Sequence, residues 1–162
     1  MTHRRTSFAA IFLAAGLALA GASAGAQEST PAANSALHVY RFIVNRLAFL
    51  EQCAHIDKPN VAAYADAFRA YSLEATPIAD RTFAILREEA ARAGKNSDYF
   101  ARSMFDIGRE TRSRFRDIAE KDSHAFTTGC RGVPRLVQEH RQGFRPIPDL
   151  FPDQMREIDE WK

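Results

Sequence analysis

The sequence predicts an all-α protein: a four-helix up-down-up-down bundle with one disulfide and a Pro-rich C-terminal arm ending in a short helix. Three observations carry that prediction. From Ala36 onward apolar residues recur at helical spacing, and no stretch shows the sustained alternation of an exposed strand. The chain also opens like a secretory leader and holds only two cysteines, Cys53 and Cys130. Its 162 residues suit one ordinary domain.

The first helix, expected over 36–56, has Ala36, Tyr40, Ile43, Leu47, Leu50 and Ala54 at alternating four- and three-residue steps. Val39, Phe42, Phe49, Cys53 and Ile56 form a second stripe beside them. Together they make one broad apolar face. Pro59 ends the helix, because a proline disfavours helical geometry in the residue before it. Asn60 can cap a second helix with Val61, Tyr64, Ala65, Phe68 and Tyr71 as its buried positions, and Gly94 is a natural stop. Pro77 admits two readings: a kink in one long helix, or a fresh start, since Thr76-Pro77 is also a good cap and first-turn pair.

Ser97 is expected to cap a third helix reaching Lys121, with Phe100, Met104, Ile107, Phe115 and Ile118 on one face. Asp122 or Ser123 would cap a fourth, with Phe126, Cys130, Val133 and Val137 in register. Gly129, Gly132 and Pro134 must bend or interrupt it near its middle. From Gly143 on, Pro146, Pro148 and Pro152 mark an extended arm, with a last helix over 152–161.

Residues 1–26 read as a signal peptide. Arg4 and Arg5 precede an apolar run, Phe8 to Ala20, and Ala24-Gly25-Ala26 supplies a small-residue cleavage pattern before Gln27. The run is shorter than the roughly 20 residues a membrane span needs. The expected product is periplasmic or secreted, with a flexible lead-in at 27–35, the bundle at 36–143 and the arm at 144–162. Loss of Arg4 and Arg5 from the 22 basic residues leaves 20, equal to the 20 acidic ones. A neutral chain argues against general attraction to nucleic acid or anionic lipid, and no second long apolar run follows to insert in a membrane.

Two cysteines in an exported chain are expected to pair, and Cys53–Cys130 has no C-x-x-C spacing that would suggest a redox couple. Closing so long a loop contributes on the order of 4.5 kcal/mol in the chain-entropy description. The pairing also bears on Pro77. A kinked long helix brings both cysteines to the same end of an up-down-up-down bundle. Reversal at Pro77 would separate them by roughly 20 to 30 Å, and a disulfide needs about 4.4 to 6.8 Å between Cα atoms.

No catalytic motif is present: neither a Gly-x-Ser-x-Gly elbow nor His-Glu-x-x-His occurs. The protein is expected not to be an enzyme. His55 and His124, with Asp57 and Asp122 near in sequence, are the candidate ligands for a divalent metal, but no His-x-x-x-His spacing supports them and no metal is favoured. His38 and His140 are expected near the other end of the bundle. No cofactor is expected; C-x-x-C-H is absent, and Met104 and His124 are poorly placed as haem ligands.

Charge is more informative. Residues 100–145 hold ten basic and six acidic side chains, with Arg109, Arg112, Arg114 and Arg116 close together, while 146–162 hold five acidic and two basic. The default expectation is that the arm docks on the bundle, burying Phe151, Leu150 and Trp161, with its acids facing the arginines. The alternative is that Arg109, Arg112, Arg116 and Phe151 engage a partner. The expected function is therefore an exported, non-catalytic protein-binding factor, such as an inhibitor, immunity factor, adaptor or chaperone-like protein, with a partner in the cell envelope or exterior. A ligand-carrying bundle and a small enzyme are the alternatives.

Overall fold

The computed structural model describes residues 29–162. The signal peptide and cleavage point expected around 1–27 lie outside the described residues. Among these there is no strand, and three long helices dominate: α1 (Pro31–Ile56), α2 (Val61–Arg92) and α3 (Ser97–Lys121). None of them is long and apolar enough to cross a membrane.

Helix α1 begins five residues earlier than the apolar stripe suggests. The Thr30 hydroxyl accepts a hydrogen bond from Ala33 N at 3.2 Å, and Pro31 stands at the first helical position. Both satisfy the start of a helix, so 31–35 are helical rather than a loose lead-in, and Ala33, Ser35 and Ala36 are buried.

Helix α2 runs unbroken through Pro77. The proline lacks the N–H that would reach the Leu73 carbonyl, but both residues are exposed, so losing that bond does not leave a carbonyl buried without a partner. The chain therefore does not reverse at Pro77. It reverses between α1 and α2, where Tyr64 early in α2 packs with Cys53 late in α1. At the opposite end Thr30 N donates to Glu89 Oε1 at 3.1 Å, so α2 returns along α1. Gly94 (φ 69°) makes the next turn, in the left-handed region that glycine adopts without penalty. Asn96, rather than Ser97, caps α3: its Oδ1 accepts from Tyr99 N at 2.8 Å.

The fourth segment is broken. Helix α4 (Ser123–Cys130), capped by Asp122, is separated by Arg131 and Gly132 from α5 (Val133–Gln138), whose Val133 and Val137 enter the core. Cys130 ends α4 and is bonded to Cys53, with 5.5 Å between the Cα atoms.

The C-terminal residues form α6 (Ile147–Leu150) and α7 (Pro152–Glu160). The side chains most deeply inserted are Phe144, Ile147 and Ile158, all within the main core cluster. Leu150, Phe151 and Trp161, expected to be the anchors, are half-buried. The acids of this segment do not meet the α3 arginines. Asp159 pairs with Arg81 of α2 at 3.0 Å, and Glu157 accepts from the Ser35 hydroxyl of α1 at 2.6 Å. The physical reason is that Ile147 and Ile158 seat the segment against α1 and α2, away from α3. Arg46 of α1 fixes its beginning. The guanidinium lies 4.7 Å from the Phe42 ring centroid and 5.4 Å from that of Phe144. A Cβ on Gly143 would meet this guanidinium, so any larger residue there would have to displace the Arg46 side chain.

Candidate functional site

Helix α3 is anchored by aromatic contacts near its two ends and is only partly covered between them. Near its start Phe100 meets Phe83 of α2 edge to face, with ring centroids 4.7 Å apart. Near its end Phe115 packs 5.5 Å from Phe49 of α1, which in turn contacts Phe126 of α4 at 5.7 Å. Phe100, Phe115 and Ala119 are its buried residues. Between these anchors Met104 and Ile107 are half-buried, and Phe105 is 67% exposed.

The result is an open cleft with α1 as floor and α2 and α3 as walls. One compartment of about 240 Å3 has Tyr40, Val44 and Leu47 beneath Met104 and Phe105. It adjoins a larger one of about 720 Å3 between Leu50 and Ala54 on the floor and Phe68 and Leu73 on α2. Leu73, on that rim, is 73% exposed. Apolar side chains left in water on both sides of one groove mark a surface that other matter covers.

A single ion pair divides the compartments. Arg112 Nε donates to Glu51 Oε2 at 3.0 Å, and both groups are more than half exposed. Solvent screening makes such a pair worth little in stability. Toward the end of α1 the apolar surface gives way to a basic hollow lined by Arg112, Arg116, His55 and Lys58.

No protein-family model, curated protein or solved structure matches this chain. The site rests on its own geometry.

That geometry separates the residues singled out from the sequence. Arg112 and Arg116 share the basic hollow with His55. Arg109 turns outward to Asp106 at 3.1 Å. Phe151 lies against another face of α1, edge-on to Phe42 at 4.8 Å and to His38 at 5.1 Å. It is not part of the same surface as the arginines. His124 is exposed on α4, and His140 faces Glu74 at 3.5 Å. Among the described residues no three His, Cys, Asp or Glu side chains are gathered as a metal would require.

Beside the disulfide, Asp57 accepts from Tyr64 Oη at 2.8 Å and Asn60 Nδ2 at 3.0 Å through the same oxygen. The hydrogen bonds from Asn60 and then Tyr64 hold the Asp57 carboxyl below its usual range, and burial, then the bond to Asp57, pushes the Tyr64 hydroxyl up. This buried link ties the α1–α2 turn together beneath the mouth of the cleft. Asn60 thus serves Asp57 rather than capping α2.

The sequence pattern missed the cleft because Phe68 looks like an ordinary member of the α2 stripe. A signal was present: Leu73 and Phe105 fall off the stripes that hold Tyr64, Tyr71, Phe100 and Phe115, and so do not belong to the same faces.

Proposed function

We propose that this chain is an exported, non-catalytic protein-binding factor, built on an up-down-up-down frame whose fourth member is broken, and that it captures its partner in the α2–α3 cleft. The observation that carries this reading is the pair of exposed apolar rims, Leu73 on α2 and Phe105 on α3, over a floor of Val44, Leu47 and Leu50. Hydrophobic grooves between helices are recurrent docking sites for protein segments. Export is supported by the leader-like sequence at 1–26 and by the Cys53–Cys130 bridge, which persists in oxidising compartments.

Site-specific photo-crosslinking in the producing cell tests the reading. A photoreactive residue placed at Phe105 should yield a discrete protein adduct, while the same residue at exposed Ala91, away from the cleft, should not. Adducts of lipid mass at Phe105 would point to the ligand-carrying alternative. Equal labelling at both positions would remove the cleft as the site.

A further inference from the structure

We infer that the occupant of the cleft is an amphipathic helix from a partner protein, with apolar anchors on one face and carboxylates along its flank. The inference rests on the protein-binding reading and specifies its chemistry. Three features of the site lead to it.

The first is length. The floor runs along α1 from Tyr40 to Ala54, and at 1.5 Å per residue this is roughly 21 Å, or about four helical turns. The second is width. Leu73 and Phe105 stand on opposite walls, and both project into water. A thin chain lying on the floor would leave them there. A helix, about 10 Å across with its side chains, presents a broader covering surface to the two walls while its anchors enter the two compartments. The Glu51–Arg112 pair between the compartments asks for a break between two apolar anchors rather than a continuous hydrocarbon.

The third is charge. The cleft and the basic hollow that continues it carry Lys58, Arg69, Arg112 and Arg116 against one carboxylate, Glu51. Among the described residues Arg69 has its only ion-pair contact with Asp66 at 3.8 Å, and Arg112 is engaged by Glu51. The excess is cationic, so an acidic flank is attracted and a basic one repelled. The same excess opposes a second copy of this chain, which would bring cation against cation. The aliphatic lining of Val44, Leu47, Leu50 and Met104 suits branched side chains rather than phosphates or bases.

The experiment uses the disulfide-bonded protein and a phage-displayed library of helix-forming peptides of about 16 residues, enough to span the floor. Enriched sequences should carry Leu or Phe at i, i+3 or i+4 and i+7, with Asp or Glu beside them. A synthetic peptide of that sequence should bind more weakly as salt is raised. Arg112→Glu combined with Arg116→Glu should weaken it roughly tenfold or more, as should Phe105→Ala. All three side chains are exposed, so circular dichroism should report an unchanged fold.

Enrichment of basic or uncharged helices would overturn the inference. So would binding indifferent to Phe105→Ala, displacement of the peptide by laurate at comparable affinity, or a dimer of the free protein that Phe105→Ala dissolves. The two readings fail separately. A protein adduct at Phe105 whose contacting segment is extended or basic would end the helix assignment and leave protein binding standing. Lipid adducts in the cell, despite acidic helices from the library, would end the broader reading.

Discussion

Two faces of α1 meet different fates. On one, the chain closes over its own core: Phe144, Ile147 and Ile158 come back from the C-terminal segment and are 4%, 0% and 0% exposed. On the other, α3 crosses above α1 with Phe105 turned to solvent and an open cleft below. Apolar content alone does not separate them, since both covering segments carry several large apolar side chains. What differs is attachment. The C-terminal segment is seated by fully inserted isoleucines and by the Arg46 stack at its beginning, whereas α3 has its aromatic anchors near its ends and only half-buried side chains and an exposed ion pair between them. A helix fastened in that way leaves the middle of its apolar face available.

Three measurements would break or sharpen that contrast. The largest effect is expected from the Cys53–Cys130 bridge, which ties α1 to α4. Replacing Cys53 and Cys130 by serine releases a 77-residue separation and should cost about 4.5 kcal/mol of stability in the chain-entropy description. In native-state hydrogen exchange α3 and α4 should loosen first, while amides around Ile147 and Ile158 keep their protection. Loss of protection on both faces together would show that the two are one cooperative unit.

A paired truncation comes next. Ile158→Ala empties a fully buried site and should destabilise by about 2 to 5 kcal/mol. Phe105→Ala removes a larger side chain yet should shift stability by no more than about 0.5 kcal/mol, because the ring is already in water. Chemical denaturation of both variants checks the pair. Comparable losses would mean that the α3 face is covered in solution.

The smallest effect concerns Asp57, at the turn beneath the cleft. Hydrogen bonds from Asn60 and Tyr64 lower its pKa in the folded state. A carboxyl depressed on folding contributes stability above its unfolded pKa and loses it as pH falls through the folded one. The melting temperature should therefore decline below about pH 4. Asp57→Asn should flatten that decline, and a curve identical to the parent's would remove Asp57 from the acid response.

Parts of this architecture could be read directly. The 3.6-residue stripes of α1 and α2, the stop at Gly94, the interruption near Gly132 and the pairing of Cys53 with Cys130 are local or follow from the count of cysteines. The cleft was not legible for a physical reason. Periodicity tells which side chains share a helix face, but not whether another element covers that face. The position of Phe105 off the α3 stripe hints that it faces outward, but nothing local says that an open cleft lies beside it, or that Ile158 at 0% exposure is covered by α1 and α2.

The charge pattern shows the same limit. Opposite charge in residues 100–145 and 146–162 suggests that they meet, yet Asp159 binds Arg81 and Arg112 binds Glu51. Exposed ion pairs are worth at most about 1 kcal/mol, while each buried large apolar side chain contributes about 1.5 to 3. Burial of Ile147 and Ile158 therefore chose where the C-terminal segment lies, and its carboxylates paired with whatever cations were near. By itself the sequence determined the all-helical class, the helix ends set by Pro59 and Gly94, and the disulfide, because each depends on local geometry or on having a single partner. Only the tertiary structure decided which face of α1 closes and which stays open, because that choice is a competition between distant apolar surfaces for the same helix.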